Sequence, residues 1–298
     1  MPQGLYRGMD RAELDRQLNL RARWPEHALY FDRWAKESAA VRARIGGRLD
    51  LAYGDTGGQT LDLFLPKNGS SVGPEGVSVR PPVLVFIHGG YWQSLDKGDF
   101  SYLAPPFLEA GIAFASVNYD LAPKIGIADI VAQIRRAILW LADTGANHGL
   151  DVDRLYVAGH SAGGHLAAMA LLTEWAAIAN GRPRPVKGAC AISGVYELEP
   201  LRRSYHQDIL RIDPATEATM SPARLLPKES GPLILAVGGE ETAEFLLQQA
   251  ELAAAWTDHG LPVRVVDLPG RNHFSAADAL GMAGHPLFTA VKDMVDGG

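Results

Sequence analysis

Apolar residues fall into two patterns along the chain, and the two alternate. VLVFI (83–87), IAFASVNY (112–119), LYVAG (155–159), KGACAIS (187–193), LILAVG (233–238) and VRVVDL (263–268) are apolar almost without interruption. Runs of this kind suit strands covered on both faces, as in a parallel sheet. Between them, DIVAQIRRAILWLADTG, AGGHLAAMALLTEWA, EFLLQQAELAAAWTDHG and a last stretch near 286–296 repeat their apolar residues at helical spacing. Strand and helix in regular alternation predict a doubly wound α/β sheet, mostly parallel, with helices on both faces. LDLAYG (49–54) and TLDLFLP (60–66) instead alternate apolar with polar, as strands with one exposed face do.

Three segments fall outside this rhythm. Residues 10–45 interleave charges with Leu, Trp and Ala at three- and four-residue spacing and read as helical. KNGSSVGPEGVSVRPP (67–82) is a Gly/Ser/Pro-rich surface loop. Residues 194–231 are polar, proline-bearing and irregular. They are expected to form a small cap over the carboxyl ends of the strands, where open α/β sheets bind ligands. With no repeat and no linker-like block, 1–298 is expected to be a single domain, with 1–45 as an amino-terminal helical segment and 194–231 as a cap-like insertion.

Composition narrows the classes. The chain has 298 residues, 47% hydrophobic and 21% charged, enough for a sizeable core. Its net charge of -6, with no basic cluster, argues against nucleic acid or an anionic membrane as partner. No apolar run reaches the 18 or so residues that a bilayer-spanning helix needs. The charged start MPQGLYRGMDRAELDRQ lacks an apolar signal core, so a cytoplasmic location is expected. Asn68-Gly69-Ser70 fits a glycosylation acceptor pattern, which carries meaning only in an exported protein. Cys190 is the single cysteine. It rules out an internal disulfide and thiolate-cluster zinc ligation, and it is expected to be a buried core residue rather than a nucleophile.

The richest stretch chemically is LYVAGHSAGGHLAAMALL (155–172). Gly159-His160-Ser161-Ala162-Gly163 is a G-x-S-x-G pattern with a strand before it and a helix after it, the context of the nucleophile elbow of α/β-hydrolases. Glycines at its ends avoid collisions in a sharp strand-to-helix turn, and the helix amino terminus favours developing negative charge. A serine hydroxyl needs a base. Of nine histidines, His273 in LPGRNHFS follows the last strand, where this fold places its base. His160 and His165 are expected to be structural or to line the pocket, His259 to end a helix and His285 to precede one. His27, His148 and His206 read as surface residues. The acid should follow LILAVG, where GGEETAEF offers Glu240, Glu241 and Glu244; acids near a helix start are favoured for other reasons too, so the residues alone leave this choice open.

Two backbone donors should face the developing oxyanion. One is the amide of Ala162, after the serine. The other comes from a loop of HGG type, here His88-Gly89-Gly90 following VLVFI. Tyr91 and Trp92, next in sequence, are expected at the pocket rim, suited to an aromatic or apolar group, unless one of the two is packed under the loop.

At this level of detail the sequence resembles the kynurenine formamidases (arylformamidases), α/β-hydrolases related to the hormone-sensitive-lipase-type esterases. The resemblance is carried by HGGYWQ (88–93), LDLFLP (61–66), NYDLAPK (118–124), GHSAGGHLA (159–167), ISGVYELEPL (192–201) and the Ser-Pro of 221–222. It covers most of the chain from about residue 50 onward. GHSAGGH is shared by many esterases, whereas HGGYW together with SGVYELEPL is far more specific. The resemblance implies Ser161 as nucleophile, His273 as base, and Gly89, Gly90 and Ala162 as N–H donors. Alignment on Val237, Gly238 and Phe245 implies Glu241 as the acid, where the family usually has aspartate. It implies hydrolysis of an N-formyl arylamine of the N-formylkynurenine type to formate and the free amine, without cofactor or metal, the aryl part held by Tyr91, Trp92, Tyr196 and Phe274. A carboxylesterase or amidase acting on another small aryl or acyl compound is the alternative. A non-catalytic binding protein on the same scaffold is a third, though no triad member is missing. The expected partner is a small-molecule substrate; the oligomeric state, a homodimer included, stays open.

Overall fold

The structure is a computed structural model describing residues 4–67, 71–72, 78–179 and 184–297. Asn68-Gly69-Ser70 and residues 73–77 of the 67–82 loop lie outside the described residues. Eight strands form one sheet: β1 Arg48–Ala52, β2 Thr60–Phe64, β3 Val83–Ile87, β4 Ala113–Val117, β5 Leu155–His160, β6 Val186–Ile192, β7 Leu233–Gly238 and β8 Val263–Leu268. Their order is β1-β2-β4-β3-β5-β6-β7-β8. β2 runs antiparallel to β1 and β4, and every other pairing is parallel.

The register explains why one end of this sheet becomes a site. Ile87 of β3 stands opposite both Val117 and Gly159, His160 opposite Ile192, and Ile192 opposite Ala236. The carboxyl ends of β3, β5, β6 and β7 therefore lie along one rim, and the residues just past them emerge side by side. Backbone bonds continue the ladder beyond the strands: the Ser161 amide donates to the Ile192 carbonyl at 2.8 Å, and the Ser193 amide to the Ala236 carbonyl at 2.7 Å.

The helices cover both faces. We label α1 Arg11–Leu18, α2 His27–Ile45, α3 Ile127–Thr144, α4 Ala162–Leu171, α5 Ala243–Asp258 and α6 Pro286–Asp296. α3 buries Ile127, Ile130, Val131, Ile134, Ala137, Ile138 and Leu141, a stripe at three- and four-residue spacing. Each such Ile, Val or Leu side chain contributes about 1.5–3 kcal/mol on burial. α4 is buried along its whole length, so it has no polar face to present. Between β6 and β7, short helices at Glu199–Arg203, Gln207–Leu210 and Pro214–Met220 occupy the interval where the strand–helix rhythm is interrupted.

Two strands differ from the patterns expected of them. β2 alternates in sequence, yet Leu61 to Phe64 are all buried, because the strand sits between β1 and β4. Its polar Asp62 faces an ion pair rather than water. The Lys97 ammonium lies 2.6 Å from the Asp62 carboxylate and 2.7 Å from that of Asp50, and the Asp50 amide also donates to Asp62. β8 shows the reverse: VRVVDL is largely apolar, but as the edge strand it leaves Arg264, Val265 and Asp267 exposed. Cys190 is buried in β6, and burial pushes its thiol pKa up.

Removing one partner of a buried pair leaves an uncompensated charge. Lys97→Met is expected to lower stability by about 3–5 kcal/mol, read from the urea unfolding midpoint, and replacing Asp62 by Asn in the same chain should recover part of the loss.

Candidate active site

Ser161 stands between β5 and α4 with φ 58° and ψ -120°, a conformation that L-residues rarely take. Such a residue costs about 1–3 kcal/mol and persists only where its surroundings impose it. The surroundings here are steric. A Cβ on Gly163 would lie 1.9 Å from the Ile87 carbonyl oxygen, and one on Gly159 would lie 2.1 Å from that of Gly163. Strand, turn and helix touch through bare backbone, as the two glycines of the motif suggest. Ser161 caps the buried helix α4, so its side chain lies at the positive end of the helix dipole.

His273 begins the helix His273–Asp278, and three contacts fix it. Its Nδ1 lies 2.7 Å from Oε2 of Glu241. Asn272 caps the helix, accepting from the amides of Phe274 at 3.0 Å and Ser275 at 2.9 Å. His160, beside the serine, donates from Nε2 to the His273 carbonyl at 2.8 Å, and the two imidazole centroids are 4.7 Å apart. His160 thus braces the base, and its burial together with the nearby His273 holds its own pKa well below the ordinary range.

Glu241 is the glutamate that meets the ring; its side chain is fully buried. Glu240 is exposed, and Glu244 is buried elsewhere, accepting from Tyr6 at 3.1 Å and Gln248 at 2.7 Å. The second oxygen of Glu241 has two donors of its own, the Ser193 hydroxyl and, at 3.1 Å, the Gly238 amide. Ser193 also has positive φ, 50°, and follows β6 as Ser161 follows β5. A buried carboxylate without such donors would be costly, so they hold the extended glutamate in place and aim it at the ring.

The loop after β3 completes the rim. The His88 ring stacks on Tyr119 with centroids 4.3 Å apart, and its carbonyl accepts from the Tyr119 hydroxyl at 2.9 Å. Gly90 turns at φ 100°, and a Cβ there would meet the Ser94 carbonyl oxygen at 2.1 Å. Tyr91, Trp92 and Leu95 also have positive φ. A Cβ on Gly89 would lie 3.0 Å from that of Ser161, so this backbone passes directly by the serine. Among the described residues, none accepts a hydrogen bond from the amides of Gly89, Gly90 or Ala162.

A cavity of about 380 Å³ brings these parts together; Ser161, His273, His160 and Gly90 all line it. No hydrogen bond joins the Ser161 hydroxyl to the His273 ring; such contacts commonly tighten only with substrate in place. Of the aromatics expected at the cavity, Tyr91 and Phe274 line it. Trp92 and Tyr196 do not: Trp92 packs under the loop, and Tyr196 departs from the expectation. Trp92 turns inward, fully buried, with its ring edge-on to His165 at 4.9 Å. Tyr196 is buried beneath the loop after β6, its amide bonded to Gln248 at 2.7 Å. His206 is a further correction: it is buried rather than on the surface, and lines the cavity between Tyr91 at 4.0 Å and Tyr205 at 4.1 Å.

Several contributors were not singled out from sequence. Phe31 and Trp34 of α2, and Asn19, Leu20 and Arg21 ahead of it, form one wall. Helical periodicity marks their burial without showing what they cover. Asn272 did carry a signal, since Asn-His-Phe-Ser is a capping-box pattern.

The fold and this arrangement belong to a serine hydrolase of the α/β-hydrolase class. The BD-FAE family profile matches residues 61–209. Kynurenine formamidase of Danio rerio is 33% identical over 253 residues, 83% of this chain and 82% of that one. Kynurenine formamidase of Salmo salar is 30% identical over 289 residues, 92% of this chain and 93% of that one. A crystal structure from Silicibacter sp. tm1040, provisionally named a thioesterase, superposes with a TM-score of 0.78 at 30% identity, covering 93% of this chain and 98% of that one. The chain belongs to the kynurenine formamidase family.

Two measurements probe the site's construction. Glu241→Asp draws the carboxylate back by roughly 1.5 Å, so it cannot reach both Ser193 and His273; kcat should fall at least tenfold. Ser193→Ala removes one hydrogen bond to a charged group and should cost about tenfold, with the loss in kcat rather than KM. Burial pushes His165 and His206 down from 6.5 to about 4. The unfolded chain therefore binds more protons than the folded one between these values, and stability should be full above pH 6.5 and decline as pH falls toward 4. Urea midpoints across that range check this, and His165→Gln should flatten the slope.

Proposed function

We propose that the protein hydrolyses an N-formyl arylamine of the N-formylkynurenine type, releasing formate and the free amine. The observation that carries this is the Glu241–His273 pair opening on the same cavity as Ser161, in a chain of the kynurenine formamidase family. The Ser161 hydroxyl attacks the formyl carbon while His273 takes its proton on Nε2. Glu241 holds the ring by Nδ1 and stabilises the imidazolium. Negative charge builds on the formyl oxygen, and the amides of Gly89, Gly90 and Ala162 receive it; one such donor is worth about 2.7–4 kcal/mol of barrier. His273 returns the proton to the departing aryl nitrogen. Water, deprotonated by the same ring, then attacks the formyl-serine and frees formate.

Both sides of the scissile bond fit the cavity on this reading. A formyl group carries only hydrogen on its carbon, so it fits the tight space between Gly89 and the serine turn. The aryl part lies against Tyr91 and Phe274, with Phe31 and Trp34 behind. The helical segment before residue 46 and the insertion at 194–231 together act as the cap of one domain, because Arg21 and Phe31 from the first and His206 and Ile209 from the second line the same cavity. A cytoplasmic setting is consistent with this, and no described helix is long and apolar enough to cross a membrane.

A substrate panel tests the reading. kcat/KM for N-formylkynurenine should exceed that for phenyl acetate and for N-acetyl arylamines by at least about a hundredfold. Equal efficiency across the panel would point to a general esterase or amidase. Ser161→Ala should abolish turnover and labelling by a fluorophosphonate probe; a wild-type protein that resists the probe would remove the nucleophile.

A further inference from the structure

The cavity is mostly apolar and aromatic, with one exception in charge. Among the described residues lining it there is no aspartate, glutamate or lysine, and Arg21 is the single arginine. Two of its histidines, His160 and His206, have pKa values pushed down by burial and are neutral near pH 7. Arg21 is therefore the one residue of the described lining that carries a permanent charge.

Its guanidinium is held but not neutralised. Nη2 donates to the Ser94 hydroxyl at 2.9 Å, and the group lies over the Phe31 ring at 5.6 Å. Ser94 in turn donates to the Gly90 carbonyl at 3.1 Å, tying the arginine to the loop that passes the serine. Among the described residues no carboxylate pairs with Arg21. The acid on the neighbouring helix, Asp15, is engaged by Arg11 at 2.9 Å and by the Tyr205 amide at 2.9 Å. A planar fork of donors, stacked on an aromatic wall and with donors to spare, matches a carboxylate bidentately.

We propose that Arg21 is the specificity residue for a carboxylate carried by the substrate on an arm beyond its aryl group. The proposal rests on the arylformamidase reading for the identity of the bound molecule. Steering by the whole protein does not supply this preference, since a net charge of -6 repels anions at long range. Selectivity for an acid must come from a local cation. Arg21 acts on binding alone and takes no part in proton transfer.

The test uses 3-benzoylpropionate, an aryl ketone with a carboxylate arm, and its primary amide as competitive inhibitors of p-nitrophenyl acetate hydrolysis. Wild type should bind the acid about tenfold more tightly than the amide, as a charge-assisted contact at a partly exposed site predicts, and added salt should narrow the gap. Arg21→Gln should bring the two inhibition constants within about twofold, and Arg21→Lys should keep part of the difference. Arg23→Gln alters the net charge equally but lies outside the lining, so it should leave the ratio intact. Equal inhibition by acid and amide in wild type, or a ratio that survives Arg21→Gln, overturns the proposal. N-formylkynurenine, which carries both the formamide and the carboxylate, is assayed alongside. If it is not hydrolysed while the acid preference and its loss in Arg21→Gln persist, the formamidase reading fails and the anion subsite stands.

Discussion

A backbone crossing governs this site. β5 must end, turn and become α4 within a few residues while α4 lies against the end of β3, and Gly163 meets the Ile87 carbonyl with no room for a side-chain carbon. That closeness forces Ser161 into positive φ, and the same closeness brings the Gly89 backbone alongside the serine. One steric constraint therefore accounts for a hydroxyl that lines the cavity, a helix amino terminus behind it and loop amides beside it. None of these is available separately: a relaxed turn would lower the hydroxyl into the sheet and move α4 off the loop.

Strain gathered in one place needs support nearby, and the structure supplies it from sheet and side chains. The amides of Ser161 and Ser193 extend the parallel ladder past the strand ends. The two serines, with matching positive φ, stand in adjacent turns, one bearing the candidate nucleophile and the other holding the acid. The long side chain of Glu241 is accommodated because Ser193 and the Gly238 amide fix its far oxygen. The ring of His273 is constrained from three directions, so little reorganisation is left for the reaction itself.

The cavity illustrates a different economy. Its catalytic edge is made from the sheet, whereas its walls come from α2, the segment just before it and the residues around Tyr205 and His206. Chemistry is thereby separated from selection. The rim of the sheet is steric and polar, and the walls are aromatic with a single cation. Change in the walls can alter which molecule is held without disturbing the strained turn.

Sequence alone determined what depends on local pattern. Apolar runs marked the buried strands, the glycines around Ser161 marked the elbow, and the order serine, acid, histidine singled out His273. Local pattern failed where burial is decided by neighbours. β2 reads as half-exposed but is buried because β1 flanks it, with Asp62 paired to Lys97; β8 reads as buried but is an edge. Only the tertiary structure could show that Trp92 turns inward while Tyr91 faces the cavity, because the direction of each side chain depends on a run of positive φ values that the two residue types do not encode. It likewise decided that His206, Phe31 and Arg21 meet near Ser161 from separate parts of the chain. Spacing along a chain records which face a residue occupies, and folding determines what that face is pressed against.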